Sequence, residues 1–577
     1  MVLLSPWGEK LNTKLPLNEY PRMQMQRGSF LCLNGEWEFQ INKGNIPDGK
    51  AFWEKIIVPF ALGSKLSGTK KQLHPGEVLW YRRYFEYTPG ENRVILNFEA
   101  VDQCCTVYVN GFEVGIHEGG YAPFSLDITE YVKPYNELVV RCTDHSDEGI
   151  YGFGKQRLKP EGIWYTPSSG IWQTVWIEEL TPHAIYDLKI LPDYDNKKVY
   201  LQMTGSFQQA IINVFEDRKL VHRGITAQKS YTITLDEIHP WSPDDPFLYD
   251  LYIETEDDAV RSYFGMRKFS YGPDEHGKLR FRLNNEPLFL SGLLDQGYTV
   301  DGLLTYPSDE AMRYELMKIK SMGFNMLRKH VKVECRRWYY LCDKLGILVM
   351  QDMPNGGGPY AFRDIAVLPT IGFRTFRDDN PERFGRKDPE GRKAYYMELD
   401  DMINNLYNAV CVFAWVPFNE GWGQFDSVKV TEHIREFDQS RLIDSTSGWH
   451  DQGAGDFNSR HVYFHHFHVP KADQRVLLLS EFGGYAYLEH GHSEADQLYG
   501  YKKFTDKLKL NDAVEDLYLK DILRNIPKGL AGCIYTQVAD VENECNGLFT
   551  ADRRILKIDE RRMRRINDKL IRGNKHG

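Results

Sequence analysis

Two periodicities divide the chain. From about Leu31 to Leu180, apolar residues alternate with polar ones in short runs separated by turn residues. Trp37-Glu38-Phe39 follows an Asn34-Gly35 pair, and Val94 to Phe98 and Val107-Tyr108-Val109 lead to Asn110-Gly111, a dipeptide suited to a tight hairpin. Ser125 to Thr129, Leu138 to Cys142 and Trp172 to Ile177 continue the alternation. Strands this dense, with almost no helical period, predict a jelly-roll β-sandwich over residues 1–181. Lys198 to Met203, Ala210 to Phe215, Ser230 to Leu235 and Tyr249 to Ile253 repeat the pattern over residues 182–275, a length and spacing that suit an immunoglobulin-like β-sandwich.

From residue 276 to 577 the pattern becomes strand, loop, helix. Eight largely apolar runs read as buried parallel strands: Leu288 to Leu290, Phe324 to Leu327, Ile347 to Met350, Val410 to Phe413, Leu442-Ile443, Val462 to Phe464, Val476 to Leu479 and Cys533 to Tyr535. Ser308 caps a predicted helix with Met312, Leu316, Ile319 and Met322 on one face and Gly323 at its end. Trp338, Leu341, Cys342 and Leu345 form a second stripe, stopped by Gly346. Such alternation predicts a multidomain protein with a C-terminal (β/α)8 TIM barrel. A doubly wound sheet is the rival, but no glycine-rich phosphate loop follows any of the strands.

Composition narrows the function without choosing it. At 577 residues and 42% apolar content the chain is long enough for several cores. A net charge of -10 argues against a nucleic-acid partner, so the basic run Arg561 to Arg565 reads as a solvated helix face. No apolar stretch approaches a membrane span, and Met1 to Lys10 lacks a basic-then-apolar signal. Nine scattered cysteines form no disulfide or zinc framework, and the expected compartment is cytoplasmic. Aromatic residues reach 13%, which suits flat contacts to sugar C–H faces as well as sandwich cores.

In a barrel of this type the chemistry sits just beyond the C-terminal ends of the strands. Two carboxylates follow strongly apolar runs there: Glu420, with Asn419, after the fourth strand, and Glu481 after the seventh. A pair about 5–5.5 Å apart, one protonated and one ionised, is what a retaining glycosidase requires. The bland alternative is that each Glu merely pairs with a neighbouring Arg.

Several motifs then carry a family resemblance over nearly the whole chain. Asn34-Gly35-Glu36-Trp37, Tyr108-Val109-Asn110-Gly111, Ser169 to Trp176, Asn419-Glu420, Ser480 to Gly483 and Asn546 to Phe549 with Asp552-Arg553 resemble glycoside hydrolase family 2. The resemblance implies Glu420 as acid/base, Glu481 as nucleophile and Asn419 as ligand of a sugar 2-hydroxyl. It also places Arg328 and His330 near the centre, after the second strand. Asp295, Asp352, Trp449, Tyr463, His465 and Tyr535 are further strand-end candidates for sugar contacts. Trp164 stands where relatives place an Asp, with Glu161 nearby, and Glu544 stands where glucuronidases carry a carboxylate-reading element. An acidic Glu544 would repel a uronate, although Lys329 occupies a candidate pocket position. The expected activity is that of a β-galactosidase acting on a carbohydrate substrate. The alternatives are a β-glucuronidase, a β-galacturonidase, an α-L-arabinofuranosidase or a catalytically idle carbohydrate binder. No cofactor is expected, and the cluster His461, His465, His466 and His468 has no acidic partner at ligand spacing to make it a metal site. The long segment from Asn355 to Lys393, with Phe373, Phe376 and Phe384, is expected to wall the aglycone side or meet another subunit of a homo-oligomer.

Overall fold

A computed structural model describes the chain apart from residues 1, 45, 48–52, 371, 373, 374, 472, 496, 497 and 574–577. Phe373 therefore lies outside the described residues. The first sandwich packs a six-stranded antiparallel sheet against a four-stranded one, and both fall between Leu31 and Leu180. The strand Tyr135–Thr143 shows why these runs choose strand: Asn136, Leu138, Val140 and Cys142 are buried while the residues between them are not. A second sandwich of three and four strands spans Ile185 to Phe264.

Eight parallel strands then form the barrel: Leu290–Asp295, Met326–Lys329, Leu348–Asp352, Val412–Val416, Leu442–Ile443, Phe457–Val462, Val476–Gly483 and Leu530–Thr536. The ladder runs unbroken from the fifth strand round to the sixth through the first and eighth. Between the fifth and sixth there is no ladder. Asp456 bridges that seam, its carboxylate taking the Ile443 N–H at 2.8 Å and its own N–H reaching Ile443 O at 2.7 Å. Ser308 accepts from Ala311 N to cap Asp309–Ser321, and Gly346, at φ 69°, ends Arg336–Leu345, as the spacing predicts.

Three boundaries depart from the expectation. Phe269–Pro273 and Leu279–Leu283 form one small sheet across the 275/276 division, and Phe269 and Phe281 both pack on Phe413 of the fourth strand. That sheet belongs to the underside of the barrel. The N-terminal segment also serves the barrel, since Ser5 hydrogen-bonds Asp301 and Trp7 packs on Tyr314. The sixth strand is Phe457–Val462, earlier than the Val462 to Phe464 run suggested. Its polar residues Asn458 and Ser459 are buried and Arg460 is half-buried, drawn in by the seam and the bulge there, which apolar patterning alone does not register. The nine cysteines are free thiols, and among the described residues no helix is long and apolar enough to cross a membrane.

Candidate active site

Arg328 organises the barrel mouth. It projects inward from the second strand, wholly buried, and its guanidinium spans three other strand ends. Nε donates to Asp352 Oδ1 at 2.9 Å, Nη2 to Asn419 Oδ1 at 2.8 Å, and Nη1 to Glu481 Oε1 at 3.2 Å. A rigid planar fork can hold three strand ends in register where a lysine could not. His330 closes the floor, its Nδ1 at 2.8 Å from Asp352 Oδ2. Burial, with Lys155 and Arg328 nearby, pushes its pKa well below the usual histidine value, so the ring is neutral.

Glu420 sits on a left-handed turn, φ 50°, with Gly421 and Gly423 also at positive φ. A non-glycine residue there is uncommon and stores local strain, and such strain gathers at functional positions. The turn is pinned because Glu420 N–H donates to Ser447 O at 3.0 Å. Burial raises the Glu420 carboxyl to about 7, although Lys155 and Arg328 pull it down. Burial also raises Glu481, which is opposed by His461, by Arg328 and by the hydroxyl of Tyr463, a donor to Oε2. The two carboxyls thus live in different surroundings: one without a direct cation, the other bonded to a guanidinium and a phenol.

His461 stands between them. Its Nδ1 is 2.8 Å from Glu420 Oε1 and 3.5 Å from Glu481 Oε2, while Nε2 faces Ser447 Oγ at 3.2 Å and Arg328 Nη1 at 3.4 Å. Burial lowers its pKa to about 4. Because guanidinium only donates, Nε2 is the accepting nitrogen, and Nδ1–H points at Glu420. One nitrogen of His461 and one oxygen from each Glu lie within 4.8 Å of one another. That trio could ligate a metal ion, but Arg328 already places a fixed positive charge beside it. The arrangement is therefore better suited to moving protons.

The strand-end candidates separate by parity. Tyr463 points inward, stacked on Tyr501 at 3.9 Å, and Trp449 lies 6.2 Å from the His461 ring. Thr536 also points inward, its Oγ1 2.9 Å from Tyr463 OH, so Tyr535 must face out. Tyr535 packs on Phe482 and Tyr518 and accepts from Tyr485 N–H, and it is not a pocket residue. Asp295 and Lys329 likewise face the helix layer. They pair at 2.7 Å, and the Lys329 ammonium lies 3.9 Å from the Trp338 ring centre, so neither touches the pocket. His465 is solvent-exposed and hydrogen-bonds only His466 O. The misplaced sixth strand explains that error, because it put residue 465 at a strand end. The true strand makes His461 and Tyr463 successive inward positions instead. Of the four clustered histidines only His461 enters the site.

The remaining wall comes from elsewhere in the chain. The first-sandwich loop brings Trp164 to 5.0 Å from Trp422, and it brings Lys155, which patterning did not single out, to 4.8 Å from the same ring. Glu544 is buried and accepts from Tyr165 OH and, at 3.1 Å, from Asn546 Nδ2. The long segment after the third strand folds over the fourth and fifth strand ends: Phe376 N–H donates to His450 Nδ1 at 3.0 Å, and Gln424 donates to Asp378. Tyr360 of this segment is close enough to feel the Glu420 charge.

A parallel barrel behind two β-sandwiches, with paired carboxylates at its mouth, defines the glycoside hydrolase class of protein. Residues 73–177 match the sugar binding domain of glycosyl hydrolases family 2, 173–267 match the domain described as glycosyl hydrolases family 2, and 280–481 its TIM barrel domain. The chain belongs to glycoside hydrolase family 2. It is 27% identical over 446 residues to a β-galactosidase of Thermoanaerobacter pseudethanolicus, covering 71% of this chain and 53% of that one. It is 22% identical over 435 residues to a β-glucuronidase of Streptococcus agalactiae, covering 70% and 68%. The chain spans about half the length of the first curated relatives it matches. Among solved structures, a β-D-glucuronidase of Dictyoglomus thermophilum superposes with a TM-score of 0.73 at 17% identity, covering 96% of this chain and 98% of that one. A β-galacturonidase of Eisenbergiella tayi gives 0.69 at 17%, with the same coverage.

Proposed function

We propose that this protein is a retaining exo-glycosidase in which Glu481 is the nucleophile and Glu420 the acid/base. The observation that carries the reading is the pair itself: two carboxyls within a few ångströms of one another around one buried histidine, Glu420 raised to about 7 and Glu481 bonded to a guanidinium and a phenol. Glu481 attacks the anomeric carbon while Glu420 gives its proton to the departing glycosidic oxygen, leaving the sugar esterified to Glu481. Water then loses a proton to the Glu420 carboxylate as it attacks the same carbon, and Glu481 leaves. Asn419 Nδ2 is buried without an acceptor among the described residues, which suits a bond to the sugar 2-hydroxyl. Tyr463 and Arg328 orient the nucleophile.

The favoured sugar is a β-galactoside. Arg328 is engaged by Asp352, Glu481 and Asn419, and Glu544 acts on Lys155 beside the pocket, which disfavours uronides. The test is release of nitrophenol from a panel of nitrophenyl glycosides, with Glu481→Gln as control. Rapid release from the β-galactoside, absent in the variant, is expected. If the unaltered protein releases nothing from any sugar, the enzyme reading gives way to a binding protein on the same scaffold.

A further inference from the structure

Lys155 is buried to 5% exposure, and its ammonium makes no hydrogen bond or ion pair with any of the described residues. The ammonium itself keeps some accessible surface, so its three donors are open to whatever occupies the pocket. Its position is built with care. Phe153 and Gly154 N–H both donate to Asn355 O at 2.9 Å, and Lys155 O accepts from Tyr165 N–H at 2.9 Å. Gly154 sits at φ 62°, where an added Cβ would meet Val331 O at 2.6 Å. Gln156 is anchored by Asp102, Tyr121 and Ser168. The flanking residues are thus fixed, and the side chain is directed between the Trp422 and Trp164 rings, 4.8 and 5.5 Å from their centres. The charges that act on it are Glu544 first, then Glu481 and Glu420, so it overlooks the same pocket as the two catalytic carboxyls.

We propose that Lys155 is a specificity-determining residue that donates hydrogen bonds to a hydroxyl of a neutral sugar held against Glu481. This rests on the glycosidase reading and deepens it. Ammonium needs lone pairs, which a sugar hydroxyl or a sugar carboxylate could supply. Charge decides between them. The cations Lys155 and Arg328 are outnumbered by carboxyl groups: Asp352, Glu481 and Asp444 act on Arg328, and Glu544, Glu481 and Glu420 act on Lys155. A uronate would add a further negative charge, whereas a hydroxyl adds none.

The experiment compares the unaltered protein with Lys155→Met on the nitrophenyl β-galactoside and its 3-, 4- and 6-deoxy analogues, and on the corresponding uronides. Loss of one charged hydrogen bond should lower kcat/KM on the parent sugar about 10- to 100-fold. One deoxy analogue should already be slow with the unaltered protein and should lose no more in the variant. The slowness of that analogue with the unaltered protein needs no variant to fold well. An equal fall on every analogue would overturn the proposal, because it would show a general electrostatic or structural role. So would a uronide that is the best substrate and is the one lost in Lys155→Met. If no glycoside turns over, the glycosidase reading fails by itself. Calorimetric binding of galactose and the deoxygalactoses to both proteins then tests Lys155 by the same comparison, and equal affinities would overturn it.

Discussion

At the scale of single residues, the site depends on a carboxyl that keeps its proton near neutrality. Glu420 is raised to about 7 because it is buried and its direct neighbour, His461, is neutral. The acid is active when protonated, so activity is present below that value and falls as pH rises through it. We expect kcat/KM for a poor leaving group to decline tenfold per pH unit above about 7. Glu420→Ala should abolish that alkaline limb and slow alkyl glycosides far more than activated aryl glycosides, which need little protonation. Equal slowing of both would remove Glu420 from the acid role. Apolar runs ending in Asn419-Glu420 and Glu481 made both carboxyls legible from the chain alone. His461 was not legible, because its meaning depends on which face of an irregular strand it occupies.

At the scale of elements, the seventh strand shows what patterning misses. Its pairing slips against the eighth strand between Leu479 and Phe482 and against the sixth between Arg460 and His461. The slips turn Glu481 into the mouth while Ser480 still bonds Ser447 and Ser459 beneath it. No hydrophobic period encodes a bulge, so seven of the eight strands could be placed from the sequence, while the position of the sixth, and with it His465, and the orientations of Tyr535 and Asp295 could not. Gly483 ends this strand at φ 86°, and a Cβ there would meet the Tyr535 ring at 2.3 Å. Gly483→Ala should cost about 2 kcal/mol in denaturant unfolding and depress turnover by shifting Glu481. An alanine variant with unchanged stability and kinetics would show that the strand end tolerates rearrangement.

At the scale of the whole molecule, the three domains share their interior. Tyr121, Tyr165 and Trp172 from the first sandwich and Trp241 from the second lie in the same buried cluster as the barrel strands. Trp241 Nε1 donates to Asp343 O at 2.7 Å, and Arg280 reaches Leu530 O and Ile526 O across the base of the barrel. Domain order was readable from the change of period along the chain. These cross-contacts were not, since their partners stand hundreds of residues apart. They predict a single cooperative heat-absorption peak in scanning calorimetry, and separate peaks for sandwich and barrel would contradict the shared core.

The loop that carries Lys155 and Trp164 has a longer-term consequence. On the proposed reading, bond cleavage belongs to strand ends locked inside the barrel, while part of the choice of sugar belongs to a loop borrowed from another domain. Mutations in that loop can redirect the protein to a new sugar without disturbing the cleavage chemistry. Over evolutionary time, and equally in a directed library, diversification is then concentrated where it does least harm.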